Sequence, residues 1–207
     1  MPVVLLVRHG QASFGADDYD VLSDLGRAQS EVVGQELGRR ALRSPTVVTG
    51  TLRRQQDTAS LALPDVVPRV DGRFDEYDHL GLLQAYPPDD PSHDGTSRGV
   101  QALLDQALAR WVDDPSGSWP AFSSGARAAV EELASSLEKG TDAVVFTSGG
   151  VVAAVCAGLL GLGADGVVAL NRVTANGAIT KLVVGRSGVS LVSFNEHAHV
   201  GSMLTYR

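Results

Sequence analysis

Three short segments of the 207-residue chain carry the residue types that bind and transfer an oxyanion. Arg8-His9-Gly10 follows the apolar run "PVVLLV" (2–7). Thr51-Leu52-Arg53-Arg54 follows "TVVTG" (46–50). Thr147-Ser148-Gly149-Gly150 follows "DAVVF" (142–146). Guanidinium forks match tetrahedral oxyanions bidentately. Backbone N–H groups at glycine turns and helix N-termini add further donors. A neutral imidazole among them can attack phosphorus and hold it covalently, while the cations and N–H groups stabilise charge on the equatorial oxygens. The leaving alcohol then needs a proton from a carboxylic acid. Glu76, in "FDEYDHLG", is the first choice for that acid, with Asp75 and Asp78 as its competitors.

Such residues must be brought together by secondary structure. "PVVLLV", "TVVTG" and "DAVVFT" (142–147) are continuous apolar runs, the pattern of strands covered on both faces. Ser23 is placed to cap a helix running to about Leu42, with Leu25, Val32, Val33 and Leu37 as its apolar stripe. Thr51 is placed to cap a second helix, stopped by Pro64. "VPRV" (67–70) reads as a short edge strand. Residues 84–98 and "DDPSGSWPAFSSG" read as loops, and helical spacing over 100–111 and 126–138 gives two amphipathic helices. A buried helix is expected over 150–160, and "AITKLVV" and "VSLVSF" flank "GRSG" as an antiparallel hairpin. The expected fold is one α/β domain over 1–207: a three-layer α/β/α sandwich with a mostly parallel sheet carrying one antiparallel strand. A small helical and loop cap over about 77–125 is expected to carry specificity. In such sheets ligands bind beyond the carboxyl ends of the strands, where all three polar segments fall.

Bulk properties exclude several classes. Hydrophobic residues make up 43% and charged residues 20% of the chain, a globular balance. The net charge of −7 and the lack of a basic stripe argue against nucleic acid. Arg39, Arg40 and Arg43 read as a solvated helix end. The single Cys156 lies in an apolar run, so inert packing and a reducing, cytoplasmic location are expected. Residues 143–164 carry no charge, but the Thr-Ser-Gly-Gly break reads as strand then helix, not a membrane span. Asp17, Asp18 and Asp20 read as a loop without metal-ligand spacing. Trp111 and Trp119 read as packing in the cap, and His79 and His93 as surface or substrate-rim residues.

The chain resembles the histidine phosphatase superfamily, which includes the cofactor-dependent phosphoglycerate mutases. "LLVRHGQA" (5–12) is similar to its N-terminal signature, "LSDLGRAQ" (22–29) to its first-helix motif, and "TLRRQQDTA" (51–59) to its second-arginine motif. In the last motif the spacing selects Arg54. The resemblance extends through Asn176 and "FNEHAHV" (194–200), nearly the whole chain. It implies a phosphohistidine at His9, phosphate binding by Arg8 and Arg54, and acid/base work by Glu76; the Ser148-Gly149 turn is expected to join the phosphate contacts from its place after the third strand. It implies a small phosphorylated substrate and no metal or cofactor. Two positions depart. Ser148 stands where the family usually has a second pocket histidine, and Gly15 where an Asn is common. A neutral hydroxyl cannot supply a charge-assisted bond. Weakened turnover, mutase-type phosphoryl transfer and phospholigand binding without catalysis are therefore the alternatives to a phosphomonoester hydrolase. His197 and His199 are the candidates to complete the pocket.

Overall fold

The computed structural model describes residues 1–13, 20–89 and 97–206. Each expected strand forms: β1 (Val3–Arg8), β2 (Thr46–Thr49), β3 (Arg69–Val70), β4 (Ala143–Thr147), β5 (Ile179–Gly185) and β6 (Gly188–Glu196). They make one sheet in the order β3-β2-β4-β1-β5-β6. β1, β2, β3 and β4 pair in parallel, while β5 is antiparallel to both β1 and β6. One strand thus runs against the rest. β1 and β4 read as unbroken apolar runs because the sheet is covered on both faces.

The helices are α1 (Asp24–Arg39), α2 (Arg53–Ala62), α3 (His79–Ala85), α4 (Ser97–Asp113), α5 (Trp119–Ser136), α6 (Gly149–Leu160) and α7 (Ala164–Val173). Alternation along β1 divides the core. Leu5 and Val7 pack with Val33 and Leu37 of α1 and Ala59 and Ala62 of α2. Val4 and Leu6 pack on the other face with Ala126, Val130 and Leu133 of α5 and Val151 and Val155 of α6. The result is a three-layer α/β/α sandwich. A third cluster joins Leu82 of α3 and Leu108 and Trp111 of α4 to Ala153 and Ala157 of α6 and Val167 and Val168 of α7. Cys156 is fully buried on the α6 side of the sheet, and burial pushes its thiol up to about 12. Among the described residues no helix is long and apolar enough to cross a membrane.

Several local expectations change. Ser23 caps α1 as expected, accepting from the Gly26 N–H at 3.0 Å. Thr51 does not cap α2, because its N–H and hydroxyl both donate to the Asp75 carboxylate at 2.5 and 2.6 Å. α5 begins at Trp119, seven residues before the expected start, inside the segment read as a loop. Pro120 in its first turn needs no N–H partner there. Trp111, Trp119, Phe122 and Tyr77 stack in one aromatic cluster, so the early turns of α5 are held by packing. α7 was not expected at all. Gly161, at φ 66°, ends α6 in the left-handed region, and α7 restarts only three residues later. Gly15, Asp17, Asp18 and His93 lie outside the described residues.

Arg40 and Arg43 also depart from the solvated reading. Arg40 bonds Glu36 at 2.9 Å and Glu196 of β6 at 2.5 Å. Arg43 clamps the buried Asp142, which precedes β4, through its N–H at 2.9 Å and its guanidinium at 2.7 Å. Asp142 also accepts from the Val3 N–H at 2.9 Å, joining the starts of β1 and β4. These bonds, led by that of the Arg43 side chain, hold the Asp142 carboxyl down to about 2. A depressed folded-state value means the charge stabilises the fold above the unfolded value, and the contribution disappears as pH falls through the folded one. Asp142→Asn is therefore expected to lose about 2 kcal/mol at neutral pH. In urea unfolding, its deficit against the parent should shrink as pH is lowered from about 4 to about 2.

Candidate active site

Arg8 and His9 sit at the carboxyl end of β1, between β4 and β5 in the sheet. His9 is 4% exposed. Its Nδ1 lies 2.7 Å from the Gly10 carbonyl oxygen, and its Nε2 lies 3.2 Å from Arg54 Nε. A carbonyl only accepts and an arginine only donates, so the partners assign the hydrogen to Nδ1 and a lone pair to Nε2. Burial, then the charges of Arg8 and Arg54, hold the imidazole well below its usual value, against the opposing pull of the Gly10 carbonyl. The ring is a neutral base with its lone pair among guanidiniums. Gly10 is required by space: a Cβ there would lie 2.2 Å from the Gly26 oxygen of α1.

The two arginines are held from different directions. Arg8 Nη1 donates to the Thr174 carbonyl and, at 2.9 Å, to the Tyr206 carbonyl. Arg54 is 7% exposed, and its Nη1 pairs with Asp20 at 2.7 Å. Asp20 also accepts from the Arg53 N–H at 2.7 Å, satisfying the α2 N-terminus in place of Thr51. The Arg53 side chain is 60% exposed and points to Asp57 at 3.7 Å, so the cavity receives Arg54.

Glu76 follows the 3-10 turn Gly72–Phe74 and accepts from the Gly150 N–H at 3.1 Å. Burial raises its carboxyl above the usual range, although the Gly150 N–H, Arg8 and Arg54 pull it back. A Cβ on Gly150 would lie 2.2 Å from Glu76 Oε1 and 2.4 Å from the Tyr77 ring, so the close approach of both needs glycine. Asp75 is engaged by Thr51, and Asp78 caps α3 through the Leu80 N–H at 3.0 Å. Arg8, His9, Arg54, Glu76 and Gly149 line one cavity of about 220 Å³.

Ser148 is not in that lining. It is fully buried, and its hydroxyl accepts from Gln55 Nε2 at 2.8 Å. The same amide donates to the Phe74 carbonyl at 2.9 Å, and Thr147 Oγ1 donates to that carbonyl at 2.7 Å. α2, the end of β4 and the turn before Glu76 are thus tied behind the pocket by neutral bonds. Neither His197 nor His199 lines the cavity. His197 Nδ1 sits 2.6 Å from the Asn195 oxygen, and His199 Nε2 sits 3.0 Å from the Gly177 oxygen. His79, at the start of α3, does line the rim. Sequence reasoning missed Asp20, Gln55, Asn171 and Tyr206. Asp20 lies 34 residues before the Arg54 it pairs with, outside any local pattern, and Tyr206 contributes a backbone carbonyl that no side-chain motif marks.

Residues 4–197 match the histidine phosphatase superfamily (branch 1). The chain belongs to this family. An acid phosphatase of Mycobacterium tuberculosis is 37% identical over 83 residues, which cover 37% of this chain and 40% of that protein. The match therefore spans well under half of that relative's length. A mycobacterial glucosyl-3-phosphoglycerate phosphatase, solved in complex with VO3, superposes with a TM-score of 0.67 at 27% identity, covering 95% of this chain and all of that one (100%). A phosphoserine phosphatase mutant from Entamoeba histolytica superposes at 0.64 with 17% identity, covering 96% and 99% of the two chains. That last similarity speaks to the histidine phosphatase fold alone.

The Gln55 bonds bear on stability. Gln55→Ala removes a buried donor from two acceptors and leaves a void, a loss of about 2–4 kcal/mol. Ser148→Ala leaves Gln55 its bond to Phe74 and is expected to lose about 1 kcal/mol. Urea unfolding of the two variants checks this order.

Proposed function

We propose that the protein is a metal-independent phosphomonoester hydrolase acting through a phosphohistidine at His9 Nε2. The observation that carries the reading is the Nε2 lone pair, fixed by the Gly10 carbonyl behind it and placed among Arg8, Arg54 and the α6 N-terminus. Family membership and the named phosphatases support the same class. Nε2 forms the bond to phosphorus while the P–O bond to the alcohol breaks, and Glu76 gives its proton to the departing oxygen. Arg54 exchanges its bond to Nε2 for bonds to the phosphoryl oxygens. Water then attacks phosphorus, the Glu76 carboxylate takes its proton, and the P–N bond breaks. His9 returns neutral and Glu76 protonated. The α3–α4 region, within the 77–125 cap, encloses the alcohol. The buried lone thiol fits a reducing, cytoplasmic setting.

Rapid mixing with p-nitrophenyl phosphate, quenched in alkali, should leave phosphate on His9, and His9→Ala should show neither label nor turnover. Turnover by His9→Ala equal to the parent's sinks the mechanism. Phosphate binding beside absent turnover in the parent favours the non-catalytic reading.

The pH profile follows from the two perturbed groups. His9 must be neutral, and its lowered value moves the acid limb below that of a free imidazole. Glu76 must be protonated, and its raised value keeps it so above the ordinary carboxylate range. Activity should peak on the acid side of neutrality and fall as pH rises through the Glu76 value. Glu76→Gln should slow alkyl phosphate hydrolysis by about 10²–10⁴, and p-nitrophenyl phosphate hydrolysis far less, because nitrophenolate leaves without a proton. Comparing kcat for the two ester types in parent and variant checks this.

A further inference from the structure

Among the described residues the cavity has two chemically different walls. Arg8, His9, Arg54, Glu76 and Gly149 make the wall that receives the phosphoryl group in the mechanism above. Asn171 of α7 belongs beside it, since its Oδ1 and Arg8 Nε each lie 3.5 Å from where a Cβ on Gly149 would stand. The second wall comes from α3 and α4. Leu80 and Leu83, one helical turn apart, share a face of α3. Val100 and Leu104, again one turn apart, share a face of α4. All four line the cavity.

The two kinds of lining residue differ in what they still lack. The polar ones already have partners within the chain. Gln101 Nε2 and Arg172 Nε donate to the buried Asp105 at 2.6 and 2.8 Å, and Asn171 Nδ2 donates to the Tyr77 hydroxyl at 3.4 Å. His79 at the rim has a partner of its own. Leu80, in contrast, is 60% exposed, and Leu83 and Val100 are half-buried. The packing of α3 does not account for a leucine at position 80, because Leu82 on the other side of the helix packs into the cluster of Leu108 and Ala153. One exposed leucine is ordinary on a protein surface. Here it joins three further aliphatic residues in the wall of the cavity that holds His9. A hydrocarbon chain laid on this wall would complete its burial. Hydroxyls laid there would exchange water for side chains that cannot hydrogen-bond. The cavity of about 220 Å³ lies below the ~300 Å³ lower bound usual for drug-sized ligands, so the chain is short.

We propose that the substrate is the phosphate ester of a short aliphatic alcohol, and that Leu80, Leu83, Val100 and Leu104 form the subsite for its hydrocarbon portion. The proposal rests on the phosphatase reading above. Its test compares kcat/KM of the whole protein for hexyl phosphate, sorbitol 6-phosphate and 6-phosphogluconate. The first two share a six-carbon chain and differ in their hydroxyls, and the third adds a carboxylate that Arg172 would favour. p-Nitrophenyl phosphate serves as the hydrolysis reference. The parent should prefer the hexyl ester over both sugar esters by ~10-fold or more, and from ethyl to butyl phosphate kcat/KM should rise by up to ~4-fold per methylene. Leu80→Ser truncates an exposed side chain, and Val100→Thr keeps the branched shape while adding a hydroxyl. Each should lower the hexyl-to-sorbitol ratio ~3–10-fold, chiefly through KM for the hexyl ester. A general loss of structure lowers both esters together and leaves the ratio unchanged, so an unchanged ratio in both variants overturns the subsite. Equal or better turnover of either sugar ester by the parent overturns the substrate class. Turnover of the nitrophenyl ester with none of the alkyl esters touched also overturns it and leaves the phosphatase standing. No turnover of any ester overturns both.

Discussion

An imidazole sealed between two arginines cannot hold a proton it would hold in water, and the remainder of the site follows from that constraint. Burial and two guanidiniums act in the same direction on His9. The single hydrogen left on the ring goes to the Gly10 carbonyl, one residue away in sequence. Nε2 is therefore basic without being charged, and Arg54 can donate to it instead of repelling it. For that geometry to persist, Gly10 must lie against α1 with no Cβ between them, and α2 must present Arg54 at its first turn. Asp20 completes the arrangement by satisfying the α2 N-terminus and gripping the far side of the Arg54 fork. The same low-dielectric surroundings act oppositely on Glu76, whose acid form they favour. One environment thus favours the uncharged form of both the imidazole and the carboxyl that line the cavity.

The exchange of the expected histidine for Ser148 is absorbed by a second residue. A short hydroxyl alone would leave a gap behind the pocket and an unsupported turn before Glu76. Gln55, one residue after Arg54, reaches across and bonds both Ser148 and Phe74. Its amide is oriented by the Phe74 carbonyl, which requires the NH2 end, and its own oxygen is left buried beside Gly50 with no partner among the described residues. Leaving that oxygen unbonded is unfavourable by about 1–3 kcal/mol. The chain carries this loss beside Ser148. A pair of neutral side chains therefore supports the geometry behind the site, while the positive charge that a histidine would bring is absent. In the proposed mechanism the phosphoryl group is left to Arg8, Arg54 and backbone N–H groups.

Much of this was legible in the sequence wherever a residue's own type and neighbours decide its place. Continuous apolar runs gave the central strands, because burial on both faces erases alternation. Ser23 named the start of α1, and the leucine-to-threonine spacing named Arg54. Legibility failed where tertiary contact competes with local signals. Thr51 had the look of a cap until Asp75, distant in sequence, took its donors. α5 begins inside a Ser-, Gly- and Pro-rich stretch because aromatic packing around Trp111 outweighs weak propensity. α7 was hidden by Gly161 and Gly163, which signal an end without excluding a restart. The Arg40 and Arg43 pairings join elements far apart in the chain, so no window around residue 40 contains them.

The reversed strand explains how the distal part of the chain reaches the edge of the sheet that carries the cavity. Because β5 is antiparallel to β1, its first residue, Ile179, pairs with Val7, beside the end of β1 where Arg8 and His9 emerge. The segment entering β5 is thereby delivered to the pocket floor. Thr174 offers its carbonyl to Arg8, and Asn176 donates to the His9 carbonyl at 3.2 Å. β6 reverses again, so the residues after it also finish at this edge. Met203 and Thr205 bond Gln29 of α1, Thr205 pairs with Asn176, and Tyr206 bonds Arg8. A parallel β5 would have begun at the opposite edge and needed another crossover to return. Two reversals instead place two segments of the second half of the chain, 174–176 and 203–206, around Arg8 and His9 at the end of the first strand.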